Sequence, residues 1–70
     1  MTIRDLVNQG IEIQGNVIIK RYNQNKDNYT ILYKVNTGIE AYSNRIFEEI
    51  IDNEITFMYC ENNYMIFEVK

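Results

Sequence analysis

The stretch ITFMYCENNYMIFEVK, residues 55–70, predicts two β-strands joined by a tight turn. The turn falls at residues 61–63, where asparagine tolerates the left-handed backbone that a short hairpin loop requires. Strict alternation divides the first strand between two faces, with Ile55, Phe57 and Tyr59 on one and Met58 and Cys60 on the other. Both faces are apolar, although a surface hairpin of a small protein normally turns one face to water. The second apolar face therefore requires a contact of its own.

Upstream of this hairpin, residues 11–22 (IEIQGNVIIKRY) alternate apolar and polar side chains, which predicts a half-buried strand. Gly15 interrupts the apolar side and suggests a β-bulge or a close backbone approach. Residues 23–28 are rich in turn-forming side chains, and a second strand follows over residues 29–36. We expect these two strands to form an antiparallel hairpin.

Two short helices are predicted beside the hairpins. Thr2 is placed to cap the first helix, with Asp5 three residues further on, as in a capping box. Gly10 is placed to end that helix, because glycine accepts the positive φ found at helix C-termini. Ser43 can cap the second helix, which runs to about Asp52. A helix of about ten residues is marginal alone and must dock on the sheet.

The element order is therefore α-β-β-α-β-β, and residues 1–70 form a single domain. The predicted fold class is α+β, with a four-stranded, mainly antiparallel sheet and two short helices packed on one face. The residues expected on the inner face are Ile11, Ile13, Val17, Ile19, Ile31, Val35, Ile55, Phe57, Met65, Phe67 and Val69.

The opposite face of the predicted sheet is too apolar for open solvent. It collects Ile18, Tyr22, Leu32, Met58, Cys60, Tyr64 and Ile66. Clustered together, these side chains would form a patch of roughly several hundred square ångströms, the size at which exposed apolar surface marks a binding site. Two explanations stay open. The patch would not be exposed if a bulge at Gly15 shifted the strand register, or if a helix or the loop at residues 36–43 covered this face. In the other explanation, a homodimer or a partner protein buries it.

The composition excludes several kinds of chemistry. The chain has no histidine and one cysteine, so it has no internal disulfide, no histidine-ligated metal site and no Cys-His or Ser-His catalytic pair. Cys60 has no basic neighbour and is expected to be a buried, inert thiol. Glu48 and Asp52 share a face of the predicted helix and are typical of a solvated acidic surface. We expect no enzyme activity and no cofactor.

The sequence carries no sign of a membrane or of secretion. No apolar run approaches the roughly 18 residues that cross a bilayer, and the first ten residues lack the apolar stretch of a signal peptide. A single free thiol is typical of a reducing compartment. These features predict a cytoplasmic protein.

Charge is distributed unevenly along the chain, whose net charge is −3. Residues 1–39 hold five basic and three acidic side chains, whereas residues 40–70 hold two basic and seven acidic ones. The acidic surface comprises Glu40, Glu48, Glu49, Asp52, Glu54 and Glu61. This surface is either a solvated face or an imitation of nucleic acid that occupies a basic groove on another protein.

The basic hairpin at residues 18–34 offers a competing interpretation. Tyrosines near lysine and arginine on strands are how single-strand nucleic-acid-binding modules stack bases. The sequence pI of about 4.7 disfavours phosphate binding, and Tyr29 and Tyr33 belong to the predicted core face. Nucleic acid is therefore the less favoured partner.

At IEIQGNVIIK (residues 11–20), ITFMY (55–59) and IFEV (66–69), the chain resembles small proteins of unknown role encoded in phages and mobile elements of low-GC Gram-positive bacteria. In size and composition it is also similar to anti-CRISPR inhibitors. The resemblance implies a small interaction protein, in its most concrete form an inhibitor of a Cas nuclease, but marks no active-site residue. A self-associating accessory protein is a further alternative.

Overall fold

The structure, a computed structural model, describes residues 1–11, 13–36 and 49–70. These residues form one helix and four strands, namely α1 (Ile3–Asn8), β1 (Val17–Asn23), β2 (Asn28–Val35), β3 (Ile55–Glu61) and β4 (Tyr64–Val69). The strands make a single sheet in the order β2-β1-β4-β3. The α+β class and the four strands are therefore confirmed.

Helix α1 begins and ends through the residues that the sequence indicated. The Thr2 hydroxyl accepts a hydrogen bond from the backbone N–H of Asp5 at 3.2 Å, and the Asp5 carboxylate accepts one from the Thr2 N–H at 2.9 Å. The bond that the Asp5 carboxylate accepts from the Thr2 backbone N–H lowers the pKa of that carboxyl from its ordinary value. Gly10 has a φ of 80°, and the N–H of Ile11 donates to the Leu6 carbonyl at 3.1 Å. Together they form a Schellman-type helix end.

Both predicted hairpins are present. Strands β1 and β2 pair antiparallel across a turn at residues 24–27, and β3 and β4 pair antiparallel across Asn62 and Asn63. The two asparagines have φ values of 52° and 66°. Consecutive positive φ values are those of a type I′ turn, whose twist matches that of the flanking strands.

The predicted mainly antiparallel sheet is a mixed one, because its central pair, β1 and β4, is parallel. Val17 lies in register with Met65, and Arg21 with Val69. Parallel neighbours cannot be joined by a tight turn, and here each belongs to a different hairpin. The alternation of apolar residues reports which face a side chain occupies and not the direction of the neighbouring strand, so the sequence could not show this pairing.

The predicted second helix, residues 43–52, lies largely outside the described residues. Glu49 and Ile50 are helical, and a turn follows at Ile51 and Asp52. In the described part of the chain α1 is thus the one complete helix, where two were predicted.

The core lies between α1 and the inner face of the sheet. Its buried side chains are Ile3, Leu6, Val17, Ile19, Ile50, Ile51, Phe67 and Val69. Burying one such side chain contributes about 1.5–3 kcal/mol relative to leaving it exposed. Four of the predicted inner-face residues are among these eight, and Ile13, Val35, Ile55 and Met65 pack partly buried against them.

A β-bulge in β2 reverses the predicted faces of half of that strand. The pairing passes from Ile19 with Tyr33 to Lys20 with Ile31, so Leu32 is an extra residue. An extra residue shifts the alternation by one, and the side chains beyond it change faces. Ile31, predicted for the core, therefore lies on the opposite side of the sheet and is 56% exposed.

A second bulge does the same in β3. The pairing passes from Ile55 with Val69 to Phe57 with Glu68, so Thr56 is the extra residue. The Thr56 hydroxyl donates a hydrogen bond to the backbone carbonyl of Glu68 at 3.0 Å, which satisfies the bulged residue locally. Phe57, also predicted for the core, is consequently turned away from it and is 64% exposed.

Gly15, where a bulge was expected, is not part of a strand. Gly15 has a φ of 86° and lies in a bend before β1, which begins at Val17 rather than at residue 11. Ile11 therefore lies outside the strand that was predicted for it and is 46% exposed. A positive φ suits glycine because it has no Cβ.

Candidate interaction face

We define the outer face as the side of the sheet opposite α1. Cross-strand partners point to the same side of a sheet, so the pairings place rows of side chains across this face. One row consists of Ile31, Lys20, Glu68 and Phe57, and the next of Lys34, Ile18, Ile66 and Tyr59. Beyond the first row, Tyr22 pairs with Tyr29 at one end of the outer face. Beyond the second row, Tyr64 pairs with Glu61 at the other end.

A carboxylate lies at the middle of the outer face. Glu68 is only 9% exposed, which is unusual for a charged side chain without partners. The hydroxyls of Tyr29 and Tyr59 donate hydrogen bonds to it, and these bonds raise the pKa of both tyrosines above the ordinary value. The buried carboxylate is thus satisfied by two neutral donors from the strands on either side of the central pair.

Lys20, the cross-strand neighbour of Glu68, completes this cluster. Its ammonium nitrogen lies 4.1 Å from the centre of the Tyr29 ring and 5.6 Å from that of Tyr59. A hydrogen bond with the Tyr59 hydroxyl raises the pKa of the Lys20 amine, and the Glu68 charge adds to this effect. The faces of aromatic rings attract cations, so the lysine holds both rings in place.

Tyr22 and Tyr29 form an aromatic pair at the hairpin end of the outer face. Their ring centres are 5.2 Å apart, with an interplanar angle of 59°. The Tyr22 hydroxyl donates a hydrogen bond to Asp27, which raises the pKa of Tyr22. Both rings are exposed and each hydroxyl has a fixed acceptor, so the pair presents oriented apolar surface.

A groove runs between this aromatic pair and Phe57. Its volume is about 490 Å³, and Glu68 contributes to its lining. With Ile31, the groove's three aromatic residues make up the exposed large apolar side chains of the outer face. Such a concentration of exposed rings around one polar anchor is the composition of a recognition site.

The seven residues predicted for the apolar face do not all lie on one side of the sheet. Ile18, Tyr22, Tyr64 and Ile66 do lie on the outer face, whereas Leu32, Met58 and Cys60 do not share it. Leu32 is the bulged residue and packs against the core. Ile66 is 4% exposed, so its side chain is not available for contact without rearrangement.

Met58 and Cys60 pair with Phe67 and Met65 and therefore face the same side as the core. Met58 lines a separate apolar groove of about 320 Å³ that also includes Leu6 and residues of the segment before β1. Cys60, expected to be buried, is an exposed free thiol. The bulge at Thr56 explains why Met58 and Cys60 face the core side, because it reverses the alternation that assigned them to the other side.

The predicted acidic surface is only partly within the described residues. Glu49, Asp52, Glu54 and Glu61 are exposed, and Glu40 and Glu48 lie outside the described residues. Asp52 accepts a hydrogen bond from the Arg4 guanidinium at 2.6 Å. Among the residues that the structure describes, no group of three or more His, Cys, Asp or Glu side chains is placed to hold a metal ion.

The predicted apolar face did not include Lys20, Tyr29, Phe57 or Glu68, although Lys20 and Tyr29 belong to the basic hairpin at residues 18–34 of the competing interpretation. Nothing local in the sequence marks where a bulge adds a residue, so Tyr29 and Phe57 were assigned to the core. The one available signal was Glu68, a lone carboxylate within the apolar run of residues 65–69. Such a residue requires hydrogen-bond partners when the strand is central.

No protein-family model, curated protein or solved structure matches the chain. In the described ranges no helix is both long enough and apolar enough to span a bilayer.

Proposed function

We propose that the chain is a small protein-binding inhibitor or regulator, of the kind that phages and mobile elements encode, and that it contacts a larger protein through its outer face. Its most concrete form is an anti-CRISPR-type protein that blocks a Cas nuclease. The observation that carries the proposal is the group of exposed apolar side chains on that face, Tyr22, Tyr29, Ile31 and Phe57. Exposed apolar surface gathered in one place typically marks a protein-binding site.

Charge supports a basic partner. The net charge is −3, and exposed carboxylates flank β3, with Glu54 before it and Glu61 at its end. Complementary charge mainly accelerates and selects the encounter, while buried aromatic contacts supply most of the affinity. A nuclease that holds nucleic acid in a basic groove is a partner of this kind.

The test adds the purified protein to DNA-cleavage assays with a panel of Cas nucleases. We expect inhibition of at least one nuclease, with loss in Ile31→Asp and retention in Ile11→Asp. The two isoleucines are 56% and 46% exposed, but only Ile31 lies on the outer face. A panel without inhibition or association rejects the inhibitor, and equal activity of both variants rejects the outer face as the contact.

Self-association through the same face is distinguished by the mass in solution. A monomer by light scattering leaves the outer face free for a larger protein. A dimer that Phe57→Asp converts into a folded monomer would instead assign the face to a homodimer and favour the self-associating accessory protein. Ile66→Asp is unsuitable for this purpose, because Ile66 is buried and a charge there would destabilise the fold itself.

A single-strand nucleic-acid-binding module is the second candidate, and one observation favours it. Tyr29 lies exposed beside Tyr22, with the Lys20 ammonium over its ring, which is the arrangement of a base-stacking platform with a cation beside it. The acidic pI opposes phosphate binding. A mobility-shift assay on single- and double-stranded DNA decides: binding that weakens steeply with salt supports the module, and no binding at low salt removes it.

A further inference from the structure

We propose that β3 pairs edge to edge with β3 of a second copy of this chain, so that two four-stranded sheets join into one. The sheet order β2-β1-β4-β3 places β4 on one side of β3 and, among the residues that the structure describes, no strand on the other side. The inference goes beyond the proposed function, because it concerns the edge of the sheet and not its outer face.

The backbone of β3 offers hydrogen-bonding groups along this edge. The two residues that flank the turn of the β3–β4 hairpin form a hydrogen-bonded pair, and bonded and non-bonded pairs alternate from there along an antiparallel ladder. The N–H and C=O groups of Met58 and Cys60 therefore point away from β4, where water or another strand has to satisfy them. The N-terminal residues cover only the start of the edge, where the Ile55 N–H donates to the Met1 carbonyl at 2.9 Å.

Exposed apolar side chains project from β3 on both sides of the sheet. Phe57 is 64% exposed on the outer face, Met58 is 49% exposed on the core side, and Cys60 is exposed on the same side as Met58. A partner that docks on one face would cover only one of these groups. A strand in the plane of the sheet covers both, because its successive side chains alternate between the two faces.

Strand β3 lacks the features that protect an edge strand from pairing, which are charged side chains, proline, a bulge or a covering segment. Residues 55–60 (ITFMYC) contain no charge and no proline, and the bulge at Thr56 leaves residues 57–61 regular. The other edge strand, β2, carries Lys34 and is interrupted in its middle by the bulge at Leu32. Of the two edges, β3 is therefore the one suited to pairing.

The same strand supplies a matching partner. An antiparallel pair with its two-fold axis at Tyr59 places Met58 opposite Cys60 of the second copy and forms about four backbone hydrogen bonds. Phe57 then lies opposite Glu61 of the second copy, so no two like charges face each other across the contact. The two-fold axis repeats every favourable contact, so one uncharged strand provides both halves of the interface.

The dimer leaves the proposed contact surface open. Tyr22, Tyr29 and Ile31 lie on β1 and β2, away from the paired edge. Each copy therefore keeps its own outer-face contact with a larger protein.

The experiment measures the mass in solution by light scattering over a concentration series. A reducing agent is present, so that the exposed Cys60 cannot form a disulfide between two chains. We expect the wild type to be a dimer and Cys60→Pro to weaken the dimer by at least about tenfold, because proline removes an N–H that bonds the second copy and none that bonds β4. Cys60→Ala keeps that N–H and is the matched control, which should dimerise as the wild type does.

Ile31→Asp separates the edge from the outer face. Ile31 lies on the outer face and in β2, so the edge-paired dimer should persist in this variant, whereas Phe57 adjoins both surfaces and cannot separate them. A dimer that Ile31→Asp dissociates and Cys60→Pro leaves intact would overturn the inference. So would a wild type that stays a monomer at every concentration.

Amide hydrogen exchange of the wild type gives a second measurement that needs no variant. The N–H groups of Met58 and Cys60 should exchange at least about tenfold more slowly in concentrated than in dilute solution. Equal exchange rates would overturn the second copy, and protection that appears only when an inhibited nuclease is added would assign the edge to a strand of that nuclease instead. A monomer that inhibits a nuclease would leave the proposed function standing without the dimer, and a dimer without inhibition would do the reverse.

Discussion

On the inner face of the sheet, Val17, Ile19 and Phe67 are shielded from water and cluster with the side chains of α1. On the outer face, the row through Lys20 and Glu68 ends in exposed apolar side chains at both edges. Apolar burial holds a small domain folded, whereas exposed apolar groups contribute little until a partner covers them. Substitutions should therefore reduce stability on the inner face and binding on the outer one.

The largest expected effect compares two phenylalanines. Phe67→Ala should lower the free energy of unfolding by about 3–5 kcal/mol, because Phe67 is 2% exposed and its loss leaves a cavity. Phe57→Ala should change it by no more than about 0.5 kcal/mol, since its ring already faces water. Chemical denaturation measures both. Similar losses at the two positions would mean that Phe57 belongs to the core after all.

Ile66 sharpens the comparison, because it lies on the outer face and is nevertheless buried. Ile66→Ala should cost about 2–5 kcal/mol of stability, as an inner-face residue would. The control is Ile31→Ala on the same face, which should cost far less because Ile31 is exposed. Equal unfolding midpoints for both variants would contradict the burial that separates them.

The helix cap gives a smaller effect. Thr2→Ala should lower the stability by about 1 kcal/mol, because it removes the acceptor of the Asp5 N–H. Gln24→Ala, in the exposed turn of the first hairpin, should stay within about 0.5 kcal/mol of the wild type. Thermal unfolding of the two variants measures the difference. Unchanged stability in Thr2→Ala would show that α1 is held by its apolar side alone.

The smallest effect is the pH dependence of the outer-face cluster. The folded-state pKa values of Lys20, Tyr29 and Tyr59 are raised, so their contribution is complete below the ordinary values near 10 and is lost as the pH rises through the raised ones. The urea midpoint should fall above about pH 10, and less so in Glu68→Gln. An equal fall of the urea midpoint in the wild type and in Glu68→Gln would show that the pH dependence does not involve Glu68.

The sequence predicted the local structure well where side-chain chemistry acts over a few residues. Thr2, Gly10, Asn62 and Asn63 each mark a helix end or a turn through a backbone preference, and all four do so in the structure.

The faces of the edge strands could not be predicted in the same way. Alternation is correct only until a residue is added, and the bulges at Leu32 and Thr56 result from pairing with neighbouring strands rather than from a local preference. The parallel pairing of β1 with β4 is likewise a property of the whole sheet. The composition of the outer face followed from these long-range features, which is why Tyr29 and Phe57 were assigned to the core.

The most direct test of the account compares the neighbours Phe57 and Met58. Both are apolar and about half exposed or more, but as neighbours in a strand they lie on opposite sides of the sheet, and the bulge at Thr56 puts Phe57 rather than Met58 on the outer face. The measurement is equilibrium binding of a nuclease that the wild type inhibits, with both variants first shown to be folded. Phe57→Asp should weaken binding by at least about tenfold, and Met58→Asp should leave it unchanged. Strong loss in Met58→Asp with full binding by Phe57→Asp would contradict the outer face as the binding surface.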